Sequence, residues 1–154
     1  MKMKKFLLLT FISGFGSGFT PVIPGTAGSL VAAIIYYFLP AGNILWLIII
    51  ILTFAAGAAI GGRIEKEYGK DPSFMVIDEF AGQWLTYIAL PMDLLIFAGG
   101  FLLFRVFDIL KPFPANRAQN ISGGPGIMLD DLIAAVYAQI TIRIILLIIK
   151  RGIS

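Results

Sequence analysis

The chain contains no cysteine and no histidine. The first absence removes disulfides, thiolate metal sites and cysteine nucleophiles. The second removes the commonest general base, the Ser-His-Asp triad and every imidazole metal site. Charge is scarce too: 14% of the 154 residues are charged and 58% are hydrophobic, where a soluble domain carries about 25% charged residues. This composition predicts a bilayer protein, and the length predicts a single membrane-embedded domain over 1–154. A net charge of +3 is too small to argue for nucleic acid and suits the anionic inner leaflet. Whatever chemistry remains must run on carboxylates, Lys, Arg, hydroxyls, backbone amides and a bound ion.

What is present centres on Met128-Leu129-Asp130-Asp131-Leu132, just after Gly123-Gly124-Pro125-Gly126. The acids open a run that stays apolar to Ile149, broken only by Gln139, Thr141 and Arg143. This reads as a loop followed by a helix with both acids in its first turn. The helix dipole accounts for one acid there. Two beside a membrane-length segment suggest a seat for a hard divalent cation.

Earlier in the chain, Met1-Lys2-Met3-Lys4-Lys5 before Phe6-Leu7-Leu8-Leu9 imitates a signal peptide, but no small-residue cleavage site follows. A basic interfacial anchor on the cytoplasmic side is expected instead. Residues 14–29 are rich in Gly and Pro, and Pro21 and Pro24 argue against regular helix before about residue 30. Such a loop feeding a helix over 30–39 is either an anion site or a plain re-entrant turn capped by Thr26 or Ser29. A second helix over 44–62 carries Gly57 and Gly61 at a close-packing spacing. The charged stretch 63–72 predicts a solvated connector with a helical extension.

A third helix over 77–90 begins with Asp78-Glu79, with Gln83 one turn on from Glu79. A fourth runs from 94 to Lys111 and puts Arg105, Asp108 and Lys111 on one face. They form either an interfacial salt-bridge ladder or a strip that reads a phosphate and its metal. Pro112 and Pro114 stop that helix, and Arg117 lies in the following loop.

With the N-terminus inside, the positive-inside rule gathers the Gly/Pro loop and all these acids at the cytoplasmic face. Lys150-Arg151 then fall outside, against the rule. Helices over 30–39 and 77–90 span only ~15 and ~21 Å, short of a ~30 Å hydrocarbon core, so the site is expected to sink into the leaflet. The fold class expected is an all-α integral membrane protein, a bundle of about five helices with a Gly/Pro-rich N-terminal loop.

Carboxylates with Lys and Arg at a lipid interface favour metal-assisted phosphoryl chemistry. Four blocks give this a family. They are Gly18-Phe19-Thr20-Pro21 with Pro24-Gly25-Thr26-Ala27-Gly28-Ser29, Val76-Ile77-Asp78-Glu79-Phe80-Ala81-Gly82, Phe104-Arg105-Val106-Phe107-Asp108-Ile109-Leu110-Lys111-Pro112, and Gly123-Gly124-Pro125-Gly126-Ile127-Met128-Leu129-Asp130-Asp131. Together they resemble the phosphatidylglycerophosphatase A family over nearly the whole chain. The resemblance implies Mg²⁺-dependent removal of the terminal phosphate from the membrane phospholipid phosphatidylglycerophosphate, giving phosphatidylglycerol, by a multi-pass protein of the bacterial inner membrane with its site facing the cytoplasm.

On that resemblance, Asp78, Glu79, Asp108, Asp130 and Asp131 are expected at the metal. Asp108, Lys111 and Asp131 are the expected catalytic groups, with Asp108 as further ligand or water base. Arg105, Lys111, Thr26, Gly28, Ser29 and Arg117 are expected to bind phosphate and headgroup. A metal-activated water is preferred to a covalent aspartyl phosphate. The rivals are another membrane Mg²⁺-dependent phosphoryl-transfer enzyme and a non-enzymatic transporter subunit. The Asp-rich DxxDG signature of the CDP-alcohol phosphotransferases is absent. A transporter would carry polar residues onward through the membrane, whereas these acids stop at one end.

Overall fold

The structure, a computed structural model, describes residues 2–152. Among them every regular element is a helix: α1 (Lys2–Ile12), a 3-10 turn at Ser17–Phe19, α2 (Pro24–Phe38), α3 (Asn43–Tyr68), α4 (Ile77–Tyr87), α5 (Leu94–Leu110), α6 (Ala115–Ala118) and α7 (Gly124–Gly152). The all-α expectation holds. The five anticipated helices are α2, α3, α4, α5 and α7; α1 and the short α6 are additional.

Two boundaries correct the sequence reading. Proline is tolerated in a first helical turn, where its missing N–H has no acceptor to serve. Pro24 therefore opens α2 well before residue 30, and 24–29 is helix where loop was expected. Likewise Gly124-Pro125-Gly126 forms the first turn of α7, so Asp130 and Asp131 lie in the second turn. The helical extension expected past residue 62 is there, since α3 runs on to Tyr68.

The short helix α4 is the centre, packed by α2, α3, α5 and α7 and buried on nearly every side. The Trp84 indole N–H donates to Ala32 O of α2 at 2.9 Å, and the Tyr87 hydroxyl to Phe97 O of α5 at 2.7 Å. A helix ending inside a bundle leaves carbonyls that need donors. Gln139 of α7 donates to Leu85 O and Ile88 O, and Arg143 reaches Ile88 O and Ala89 O. These polar breaks in the apolar run of α7 thus cap α4. Gly57 and Gly61 work as packing residues: the Met128 side chain lies over Gly57, and the Gly124 backbone lies against Gly61.

Helices α3 and α7 are long and apolar enough to cross a membrane. Their outward faces expose Ile44, Ile48, Ile51 and Leu52 on α3 and Ile144, Leu147 and Ile148 on α7.

Candidate active site

Three helices bring the acids together: the first turn of α4, the second turn of α7 and the last turns of α5. Close approach of α4 and α7 is set at Gly82, whose missing side chain leaves room for the Phe104 ring and the Asp131 carbonyl. One oxygen each from Asp78, Glu79 and Asp131 lies within 4.8 Å of the others. Asp78 is 6% exposed and Asp131 3%. Among the described residues, ion pairs reach Asp108, Asp130 and Glu79 from two cations, Arg105 and Lys111.

Those cations are already engaged. The Arg105 guanidinium pairs with Asp108 at 2.8 Å, lies 4.0 Å from Glu79 and donates to Ser29 Oγ at 3.1 Å. Ser29 in turn donates to Gly25 O at 2.8 Å, so α2 braces Arg105 from the other side. Lys111 caps α5 in a left-handed conformation, φ +42, that non-glycine residues rarely adopt. From that turn its ammonium bonds across to Asp130 of α7. Burial pulls the Lys111 pKa down, but the bond to Asp130 together with the negative charges of Asp130, Asp131 and Asp108 holds the group above its ordinary value. Arg105, Asp108 and Lys111 therefore form no ladder along α5: one cation pairs within the helix and the other across it.

The expected residues thus divide. Asp78, Glu79 and Asp131 share one centre, while Asp108 and Asp130 flank it as the partners of Arg105 and Lys111. Ser29 reaches the site through Arg105. Gly28 packs its bare α-carbon against Val76, and Thr26 is half-buried in the first turn of α2. Because 24–29 is helical, the amides of Gly28 and Ser29 lie beyond the first-turn amides that a helix leaves free. Arg117 is exposed on α6, over the Phe113 ring at 5.1 Å, and pairs with no carboxylate among the described residues.

Gln83 lies beside the centre without being among the residues expected there. It is fully buried one turn from Glu79, and neither atom of its amide has a partner among the described residues. The cue was visible in the i, i+4 spacing from Glu79.

Unpartnered buried atoms decide whether a metal fits. Asp78 Oδ1, Glu79 Oε2, Asp130 Oδ1 and Asp131 Oδ2 have no hydrogen-bond partner among the described residues. Buried carboxylate oxygens are normally satisfied, and one left bare is costly. An all-oxygen, negatively charged donor set of this size is what a hard divalent cation takes. The centre fits a metal.

An all-helical bundle whose buried carboxylate centre fits a metal and lies beside an Arg and a Lys defines the class of protein. The sequence profile described as Phosphatidylglycerophosphatase A matches residues 10–146, and the chain belongs to that family. It is 41% identical over 131 residues to phosphatidylglycerophosphatase A of Escherichia coli K12, covering 81% of this chain and 75% of that protein. Identity to the Haemophilus influenzae protein of the same name is 38%, covering 91% of each. A Bacteroides thetaiotaomicron protein named putative phosphatidylinositol-3-phosphatase is 40% identical, over 94% of this chain and 96% of that one. No solved structure matches. Family membership makes the chain an enzyme, a phosphatase.

Proposed function

We propose that the chain hydrolyses the terminal phosphate monoester of phosphatidylglycerophosphate, releasing phosphate and phosphatidylglycerol, with Mg²⁺ held by Asp78, Glu79 and Asp131. The observation that carries this is the buried three-carboxylate centre with unpartnered oxygens beside two cations, in a chain of this family. When bound, the ion supplies Lewis-acid polarisation of the phosphoryl group. Arg105, held by Asp108 and Ser29, presents a planar fork to the phosphate oxygens. Lys111, held by Asp130, adds a point charge. Asp108 is the proposed acceptor of the proton from the attacking water. That water's oxygen bonds to phosphorus, the ester bond breaks, and Asp108 returns the proton to the oxygen of the leaving lipid alcohol.

We place the protein in the bacterial inner membrane as a multi-pass bundle. The apolar outward faces of α3 and α7 support this, because soluble monomers rarely expose such continuous surfaces. Met128 packs at Gly57, and α3 continues to Tyr68, ~16 Å further. That offset supports a centre sunk below the headgroup plane. Lys5 at the start of α1 pairs with Glu67 at the end of α3, and Lys66 and Lys70 lie at that same end, which we read as cytoplasmic.

The test is phosphate release by purified protein from phosphatidylglycerophosphate, with Mg²⁺ or with EDTA. Rapid Mg²⁺-dependent release is expected. Release unaffected by EDTA would remove the metal role, and none with Mg²⁺ would remove the substrate. Phosphatidylinositol 3-phosphate belongs in the same panel, given the name of the Bacteroides relative.

A further inference from the structure

Next to the carboxylate centre lies a polar cavity of about 280 Å³. Its polar walls are Glu65 near the end of α3, Lys70 and Asp71 of the α3–α4 connection, Gln119 and Asn120 just past α6, and Asp130; Ile121 and Ile127 make up the rest. Asp130 is the wall shared with the centre. It is 4% exposed, its Oδ2 is held by Lys111, and its Oδ1 has no partner among the described residues. The Lys111 bond fixes the Asp130 side chain as an acidic wall between the cavity and the centre.

The other groups suit a polyol. Carboxamides both donate and accept, carboxylates accept, and the Lys70 ammonium can meet a phosphodiester. Glu65 Oε2 accepts from the Gly123 N–H at 2.8 Å, tying this wall to the start of α7. The Asn120 amide donates to Asn116 O at 3.1 Å, which fixes its orientation. The volume lies near the lower end of small-molecule sites, ~300 Å³, enough for a headgroup and too small for a lipid tail.

We propose that this cavity is the headgroup subsite: it holds the polyol that stays on the lipid when phosphate leaves, and so selects which lipid monophosphate is cleaved. The proposal rests on the phosphatase reading and deepens it.

The experiment uses the full-length protein in detergent micelles, with glycerophosphoglycerol, the deacylated product headgroup, as binding probe. Ligand-observed NMR should detect binding to the wild type and at least about tenfold weaker binding to a Gln119→Ala/Asn120→Ala double variant, as expected for two lost hydrogen bonds. On phosphatidylglycerophosphate the double variant should raise KM with kcat little changed. Its rate on phosphatidic acid, whose phosphate sits directly on the diacylglycerol, should equal that of the wild type. Both side chains are exposed; should their truncation still unfold the protein, Gln119→Glu/Asn120→Asp keeps their size and removes their donors. Equal probe binding by wild type and variant, or a loss shared equally by both lipids, overturns the subsite. A wild type that binds the probe more tightly than the variant but releases no phosphate from phosphatidylglycerophosphate removes that lipid as the substrate, overturns the cavity's role in selecting it and leaves only a polyol-binding site.

Discussion

At the residue scale, the site is a concentration of negative charge that the fold alone does not neutralise. Asp78 and Asp131 face each other across α4 and α7 with oxygens that no N–H or O–H reaches. Removing one member should therefore separate function from stability. Asp131→Asn is expected to lower phosphate release by at least ~100-fold, as loss of a metal ligand does, while unfolding temperature in EDTA holds or rises because an uncompensated buried charge is gone. A near-normal rate would take Asp131 out of the centre. Arg105 tests a different property. Arg105→Lys keeps the charge but cannot meet Asp108 and Ser29 together, and kcat/KM should drop ~10-fold in the same assay. The acids themselves were legible in the chain, since paired carboxylates at the start of two apolar runs are rare. Which acid pairs with which cation was not: Lys111 shares a helical face with Asp108 yet bonds to Asp130, a choice made by the left-handed turn at its own backbone.

At the element scale, the misread boundaries have one cause. Proline and glycine read as loop markers at 24–29 and 124–126, yet both segments open helices, where neither residue forfeits a helical hydrogen bond. The i, i+3 spacing of Arg105 and Asp108 does give a pair within α5, because these shifts leave spacing inside the helices intact. The depth of α4 in the bundle was harder to read, for its eleven residues depend on Gln139 and Arg143, more than fifty positions away, for their terminal carbonyls. Helix-to-helix distance is where this scale meets activity. A Cβ at Gly82 would come within 2.6 Å of the buried Phe104 ring and 3.0 Å of the Asp131 carbonyl. Gly82→Ala should therefore cost ~1–3 kcal/mol in denaturant unfolding and lower activity per folded molecule by parting α4 from α7. Gly99→Ala on α5 meets nothing within 4 Å and should be neutral or stabilise by up to ~1 kcal/mol with full activity. Equal behaviour of the two variants would mean that the α4–α7 separation does not set the site.

For the whole molecule, the proposed orientation in the bilayer decides which leaflet the centre faces. The two ends of the bundle are chemically unlike. One carries Lys5, Glu65, Lys66, Glu67, Lys70 and Asp71, of which Glu65, Lys70 and Asp71 line the opening to Asp130; the other has the Ala89-Leu90-Pro91 turn with Arg143 and Lys150 of α7 beside it. The positive-inside rule gives weight to short charged connections, which favours the first end as cytoplasmic despite the basic residues closing α7. Lysine and arginine at a helix end can extend to the interface, so their presence outside is tolerable. A chain without cysteine makes the test direct. Single cysteines at Lys66, Pro91 and Arg151, all exposed, should react differently with a membrane-impermeant maleimide on intact spheroplasts. Pro91→Cys and Arg151→Cys should label at once, and Lys66→Cys only after permeabilisation. Labelling of Lys66→Cys from outside would turn the centre toward the periplasmic leaflet. Labelling of all three would mean that α3 and α7 do not cross the bilayer.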